Sequence, residues 1–344
     1  VRDARPGVSF VVPVHNGERW LDAVLAAIAR QDDGRPFEVL AVDDGSTDGS
    51  AGILARHAAA GRIRVVPGPK RGAAAAINAG IREAGHPIVC QVDQDVILEA
   101  GWMATLARAL EDPGIAGAQG YYTTPADASL WGRVMGLDLE DRYSRIRGDD
   151  IDHICTGNSA YRRESLVKVG LFDESLGYGY DNDMSYRLTA AGYRLVFCRQ
   201  ARSIHRWRDE LVPYLRQQYG VGYGRLDLVS KHRTRVGGDD VSGPLMILHV
   251  PAMLGVAAAA AAACVLGVTG RRWQPAATCG AALLGLLGAE RLVAGARAAI
   301  RFSALEALAF PPVHLLRDAA WVAALTVWSA RRVRRRPSRP SDSM

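Results

Sequence analysis

Three acidic clusters carry most of the chemistry that can be read from this chain. They are Asp43–Asp44–Gly45–Ser46–Thr47–Asp48, Gln91–Val92–Asp93–Gln94–Asp95 and Tyr180–Asp181–Asn182–Asp183. A carboxylate in the first can accept hydrogen bonds from a base or ribose, and Gly45 permits close backbone approach. An Asx turn that caps the next helix explains the same residues equally well. Asp93 and Asp95, one residue apart, can both address a hard divalent ion through oxygen and leave coordination sites for phosphate. Such an ion neutralises the charge that grows on a departing diphosphate. In the third cluster Asp181 or Asp183 serves either as a helix cap or as a general base for an attacking hydroxyl.

Two further groups join these. Lys70–Arg71–Gly72 precedes a helical stretch at 73–84 that contains Asn78. A basic pair and a glycine at a helix N-terminus suit a diphosphate, while solvated surface charge is the simpler account. His205 ends an apolar run and can add a nitrogen ligand to the ion, although a lone histidine is more often structural.

The elements that position these groups follow from the hydrophobic pattern. Val8–Val14 is an almost unbroken apolar run, as expected of a strand covered on both faces. Trp20, Leu21, Val24, Leu25 and Ile28 recur at helical spacing, and Phe37–Val42 is a second strand. Helices at 50–60 and 73–84 alternate with strands at 63–66 and 88–92. That alternation predicts βαβ units and an α/β fold with a mostly parallel sheet, whose ligands sit at the carboxyl ends of the strands. Each acidic cluster follows such a strand or opens a helix.

The composition changes after about residue 235. Pro244–Thr269 has no charged side chain and is long enough to cross a hydrocarbon core of roughly 30 Å. Gln274–Gly288 is also uncharged and reaches Ala294 only past Glu290 and Arg291, whereas 304–330 is interrupted by Glu306, Pro311, Pro312, His314, Arg317 and Asp318. The expectation is a catalytic domain over 1–235 and a membrane-associated helical region over 236–344. Within the latter, spans lie near 245–269 and 275–294, and an interfacial or partly inserted helix near 304–330. Buried helices of a soluble α-domain are the competing reading.

Charge and cysteine support this division. The net charge is +6, and the chain ends in a basic run of Arg331, Arg332, Arg334, Arg335 and Arg336. Beside apolar segments such a tail marks the cytoplasmic side of a membrane more often than a nucleic-acid site. Five scattered cysteines without a CxxC pair argue against a zinc knot or a disulfide framework and fit a reducing compartment. No basic-then-apolar leader precedes Val8, so export of the front of the chain is not expected.

Taken together, order and spacing from Val8 to His205 resemble the family 2 inverting glycosyltransferases of the GT-A fold. Val11–Val12–Pro13–Val14–His15–Asn16 looks like the family's opening strand and nucleotide-binding turn. Asp43–Asp44–Gly45–Ser46–Thr47–Asp48 is similar to its most recognisable signature, in which the second aspartate meets the base. Gly72 with Ala76 and Asn78 looks like the helix that follows, and Asp93 with Asp95 matches the metal-binding DxD. Gly157–Asn158–Ser159–Ala160 and Gly170–Leu171–Phe172–Asp173–Glu174 resemble acceptor-side segments. Asp181 stands at the position of the family's base, and His205 matches a histidine that completes the metal site. Tyr180 replaces the glutamate usual before that base, and no QxxRW follows: 217–225 reads QQYGVGYGR, as in non-processive, exopolysaccharide or lipid-linked members.

The resemblance implies transfer of a sugar from a nucleotide diphosphate donor to a lipid-linked or glycan acceptor at the cytoplasmic membrane face. Pro13, His15, Asn16, Asp44, Lys70, Arg71, Gly72, Asn78 and Asp93 would bind the donor. Mn²⁺ or Mg²⁺ would sit on Asp95, Asp93 and His205, and Asp181 would be the base with Asp183 in reserve. Membrane lipid is an expected partner; nucleic acid is not, and no protein partner can be inferred. Two alternatives remain. A sugar nucleotidyltransferase would need a glycine- and basic-rich loop where His15–Asn16–Gly17–Glu18 stands, and a catalytically silent nucleotide-binding scaffold has Tyr180 in its favour.

Overall fold

The computed structural model describes residues 5–334; Arg335 and Arg336 of the basic run lie outside the described residues. The chain begins β1 (Val8–Val14), α1 (Leu21–Ala29), β2 (Phe37–Asp43), α2 (Ser50–Ala59), β3 (Arg64–Pro67), α3 (Ala73–Glu83) and β4 (Ile88–Val92). It continues through β5 (Val96–Leu98), α4 (Trp102–Ala109), β6 (Ile115–Thr123), α5 (Leu130–Tyr143), β7 (Asp150–Ile151) and β8 (Asn158–Arg162). Then come α6 (Arg163–Lys168), α7 (Tyr180–Ala190), β9 (Arg194–His205) and α8 (Leu211–Lys231). Three long helices close the described chain: α9 (Pro244–Val268), α10 (Gln274–Phe302) and α11 (Phe310–Arg334).

One sheet runs in the order β3-β2-β1-β4-β8-β6-β9-β5, with β7 added on β9. Its first half is parallel, as the βαβ alternation requires. Beyond β4 the sheet is mixed: β8 runs antiparallel to both β4 and β6, and β5 and β7 run antiparallel to β9. The expected mostly parallel sheet therefore describes the half up to β4. The two- to five-residue strands β5, β7 and β8 are too short to carry a periodic signal of their own.

Register explains why the acidic clusters meet. Val14 of β1 pairs with Asp43 of β2, and Val11 pairs with Gln91 of β4. The segments 15–18, 43–48 and 93–95 therefore leave the sheet along one edge. Phe10, Val11, Val12, Leu40, Ala41 and Val89 are fully buried beneath that edge. At roughly 25 cal/mol per Å² this apolar burial is the main force holding the strand ends in place.

Two of the C-terminal helices, Leu245–Val268 and Gln274–Phe302, are long and apolar enough to cross a membrane. Leu245, Leu248, Val265, Leu286 and Val293 on them are more than half exposed to the surroundings, a surface that suits lipid better than water. The expected return near 275–294 extends as one helix to Phe302, and its second half is fastened to the catalytic region. Arg297 reaches Asp141 of α5 at 3.0 Å, and Arg291 pairs with Asp318 of α11 where both are almost fully buried. The third helix does not pass the spanning criterion and buries Phe310, Val313, Trp321 and Ala324. The charges that interrupt its apolar pattern form that inner contact.

Candidate active site

Close glycine packing positions the start of α7. A Cβ at Gly220 or Gly224 of α8 would run into Tyr178, so these two glycines, one turn apart, let Tyr178 lie directly on the helix. That contact draws α8 onto the segment that opens α7, where Asp181 stands.

On the other side of α7 a cavity of about 550 Å³ opens at the strand ends. Pro13, His15, Asp44, Lys70, Gly72, Asp93 and Asp95 line it, together with Tyr180 and Arg208. Seven of the sequence candidates thus share one pocket.

Asp44 is partly committed before any ligand arrives. Its Oδ1 accepts from the Lys70 N–H at 2.6 Å and its Oδ2 from the Gly72 N–H at 2.8 Å. Lys70 and Gly72 both have positive φ, and this converging of backbone donors is the geometry of an anion nest. The anion it holds is the chain's own Asp44. In Lys70–Arg71–Gly72, expected to meet a diphosphate, two backbone N–H groups are thus engaged by Asp44. Arg71 is also redirected, pairing with Glu174 at 2.8 Å, which leaves Lys70 as the cation of that turn on the pocket.

Two other candidates are structural. Asn16, at φ 53°, donates its N–H to Ser46 Oγ at 3.1 Å and accepts from the Thr47 N–H at 2.8 Å, so it staples two loops together. Asn78 is buried; its amide donates to the Phe172 carbonyl and to Glu174 and accepts from the Phe172 N–H. With its polar atoms so occupied it clamps the 170–174 turn and has nothing left for a donor.

Asp93 accepts from Gln91 Nε2 at 2.7 Å, and desolvation together with the nearby Asp95 charge pushes its carboxyl up to about 6. Gly157, at φ 91°, presses its backbone against this carboxylate, and any Cβ there would collide with it. Asp95 is the opposite case: desolvation works against ionisation, but His205 outweighs it and holds the carboxyl below its usual range. His205 Nε2 lies 3.4 Å from Asp95 Oδ1, with its ring packed on Tyr122 and Trp207.

Among the described residues no three acidic, histidine or cysteine side chains form a complete metal cluster. The Asp95–His205 pair nevertheless fits one ion. Two ligands each about 2.1 Å from an ion, at about 90–110°, stand roughly 3.0–3.4 Å apart. An ion held this way would leave other positions open to diphosphate oxygens.

Asp181 belongs to a different cavity from Tyr180, although the two are adjacent in sequence. Its Oδ2 lies 3.8 Å from His153 Nε2, and His153 Nδ1 lies 4.0 Å from Asp239. Burial alone favours neutral His153, but its contacts with Cys155, Asp181 and Asp239 outweigh this and raise its pKa well above the ordinary value. Asp183, expected as the reserve base, is placed among basic partners. Its side chain is enclosed, with Arg187 at 2.8 Å, Lys231 at 2.6 Å and His232 at 2.7 Å. Desolvation opposes its charge, yet these partners hold the carboxyl below its usual range, where it is a poor proton acceptor.

A model of glycosyl transferase family 2 matches residues 9–170, the span that contains the donor-side clusters. An uncharacterized glycosyltransferase of Mycobacterium tuberculosis is 33% identical over 194 residues, which cover 56% of this chain and 84% of that one. The chain belongs to glycosyl transferase family 2. An N-acetylglucosaminyltransferase of Rhizobium sp. is 30% identical over 63% of this chain, and the match spans about half, 52%, of that protein's length. A mannosyltransferase from Pyrobaculum calidifontis, solved with GDP-mannose and Mn²⁺, aligns over 94% of this chain and 87% of its own with a TM-score of 0.61. At 20% identity that likeness speaks to the fold, which is of the GT-A type.

Two residues at these cavities of the family 2 chain are absent from the sequence-based candidates. Arg208 lines the first cavity beside Asp95 and has no ion-pair partner within 4 Å among the described residues. His153 approaches Asp181 from the loop between β7 and β8, 28 residues upstream. Trp207 packs on His205, and Tyr214 is buried beside Trp131. No local pattern marked His153.

Proposed function

We propose that this chain is a membrane-attached inverting glycosyltransferase. It moves a sugar from a nucleotide diphosphate donor to a hydroxyl of a lipid-linked or polysaccharide acceptor at the cytoplasmic face. The observation that carries this reading is the division made by the start of α7: Tyr180 lines the cavity with Asp44, Asp95 and Lys70, while Asp181 lines the cavity behind it. Donor and acceptor can thus reach the start of α7 from two different cavities, and in-line displacement needs them brought together there in a near-attack geometry.

Residues 1–235 form the catalytic part under this reading, and α9 with α10 attaches it to the bilayer. The nucleotide lies against Pro13, His15 and Asp44, and the diphosphate lies toward Asp95, Lys70 and Arg208. Asp95 and His205 would hold Mn²⁺ or Mg²⁺, with Asp93 behind them; the Pyrobaculum mannosyltransferase, which shares the fold, was solved with Mn²⁺. When bound, such an ion screens the charge that collects on the leaving diphosphate. The acceptor oxygen forms its bond to the anomeric carbon as the carbon–oxygen bond to the diphosphate breaks. The bonding electron pair leaves with the diphosphate, and the acceptor proton passes to Asp181.

The test is release of nucleotide diphosphate from UDP-, GDP- and TDP-sugars by detergent-solubilised protein with a lipid extract, with Mn²⁺ or EDTA. Metal-dependent release with one donor is expected. Asp181→Asn should reduce it about 10²–10⁴-fold while donor binding persists. Full activity in that variant removes Asp181 from the role of base.

A further inference from the structure

The second cavity holds about 460 Å³, within the roughly 300–1,000 Å³ typical of small-molecule sites. It has two chemically distinct parts. Its polar part is a connected cluster: Asp181 beside His153, His153 beside Asp239, and Asp239 bridged to Arg225 at 3.3 Å and to Asn182 at 3.2 Å. The rest is apolar, with Val221 and Leu228 of α8, Met246, Ile247 and Val250 of α9, and Leu325 of α11 among its walls. Three of these six wall residues stand on the first turns of a helix long and apolar enough to cross a membrane. Leu245 and Leu248, between and beside them on the same helix, are more than half exposed. One side of α9 therefore lines the cavity, and the other suits lipid.

A molecule that fills this space has a hydroxyl at Asp181, polar atoms within reach of Arg225 and His153, and hydrocarbon along three helices. A free glycan would leave those apolar walls in contact with water, losing roughly 25 cal/mol for each Å² left uncovered. We infer that the cavity is the acceptor site and that its occupant is a lipid-borne alcohol, whose head meets Asp181 and whose chain lies between α8, α9 and α11. This assignment rests on the transfer reading above for the role of Asp181, but the cavity and its amphiphilic lining stand without it. An acceptor that enters from the bilayer is also concentrated at the interface where the enzyme is held.

The experiment uses the full chain in detergent and a long-chain alcohol that carries a photoactivatable diazirine near its chain end. Labelled peptides are mapped by mass spectrometry. Label on Val221, Val250 or Leu325 is expected, and it should be lost in Val250→Trp and in Leu325→Trp. Calorimetric binding of nucleotide diphosphate checks that each variant has kept its donor side. Label confined to the outward residues Leu245, Leu248 and Val265 overturns the assignment. Turnover gives the second arm, with octyl and methyl glycosides of one sugar as acceptors. Val250→Trp should raise KM for the octyl acceptor by about tenfold, as when several buried methylenes lose their place, and leave the methyl acceptor unchanged. Equal KM values for both acceptors in the unaltered protein, or a lipid-free polysaccharide that serves as well, overturn the lipid site and leave glycosyl transfer standing. Cavity labelling with no release from any donor does the reverse, supporting the site and removing the transfer reading.

Discussion

Gln94, the residue between Asp93 and Asp95, is hydrogen-bonded twice to the backbone of His15. Its Oε1 accepts from the His15 N–H at 2.8 Å and its Nε2 donates to the His15 carbonyl at 3.0 Å. The side chain thereby ties the turn after β1 to the loop after β4, joining the His15 and Asp95 ends of the cavity proposed for the donor. In the motif this middle position looks free; in the fold it is a strut. Gln94→Ala should weaken donor binding by about 1–2 kcal/mol, given a net worth of about 0.5–1.5 kcal/mol for each hydrogen bond. Calorimetry with nucleotide diphosphate measures this, and an unchanged Kd would show that the two loops hold their spacing without Gln94.

Removing one member of the ion-holding pair should act only when the ion is present. Asp95→Ala and His205→Ala are each expected to reduce the Mn²⁺-dependent part of nucleotide diphosphate binding and leave binding in EDTA unchanged. A protein ligand to an ion that also touches the diphosphate is lost from both at once. Equal weakening with and without the ion would assign both residues to packing.

Acid stability should depend on Lys231. Its ammonium lies 2.6 Å from Asp173 and 2.6 Å from Asp183, joining the end of α8 to α7 and to the preceding turn. Burial opposes the Asp173 charge, but the hydrogen bonds from Lys231 and Ser175, together with the Lys231 charge, outweigh it and bring that carboxyl down to about 2 from 3.8. Asp183 is also depressed. A depressed carboxyl contributes stability that is present above its unfolded value and lost as pH falls through the folded one. Lys231→Met should therefore be less stable than the parent at pH 7, with a difference that shrinks between about pH 4 and pH 2. Circular dichroism during acid titration reads this; a constant difference across that range would contradict it.

The buried pair of Arg291 and Asp318 fastens α10 to α11 beneath the apolar hairpin. Asp318→Asn leaves the guanidinium without its full counter-charge and should cost about 3–5 kcal/mol, as breakage of a buried ion pair does. Thermal unfolding in detergent measures the loss. Replacing both residues with apolar ones of similar size should recover most of it, and failure to recover would mean that the pair also sets the helix arrangement.

Parallel strands followed by carboxylates were legible because β1, β2 and β4 are covered on both faces, and such strands must be apolar throughout. The two apolar helices were legible for a similar reason: crossing hydrocarbon demands an unbroken composition. Arg71, Asn78 and Asp183 have the residue types of a ligand site, but a side chain's partner depends on what the fold sets opposite it. Here those partners are Glu174, the 172–174 turn, and Arg187 with Lys231 and His232.

The family and the succession of strands and helices up to β4 are legible in short-range pattern and spacing along the chain. The separate cavities at Tyr180 and Asp181 follow from tertiary packing. So do the meeting of Asp44 with the Lys70 and Gly72 N–H groups and the long apolar helix that walls the cavity at Asp181. Each depends on groups far apart in the chain: Asp44 and Gly72 are 28 residues apart, and Asp181 and Val250 are 69. No local periodicity encodes such meetings; the packing of strands and helices produces them.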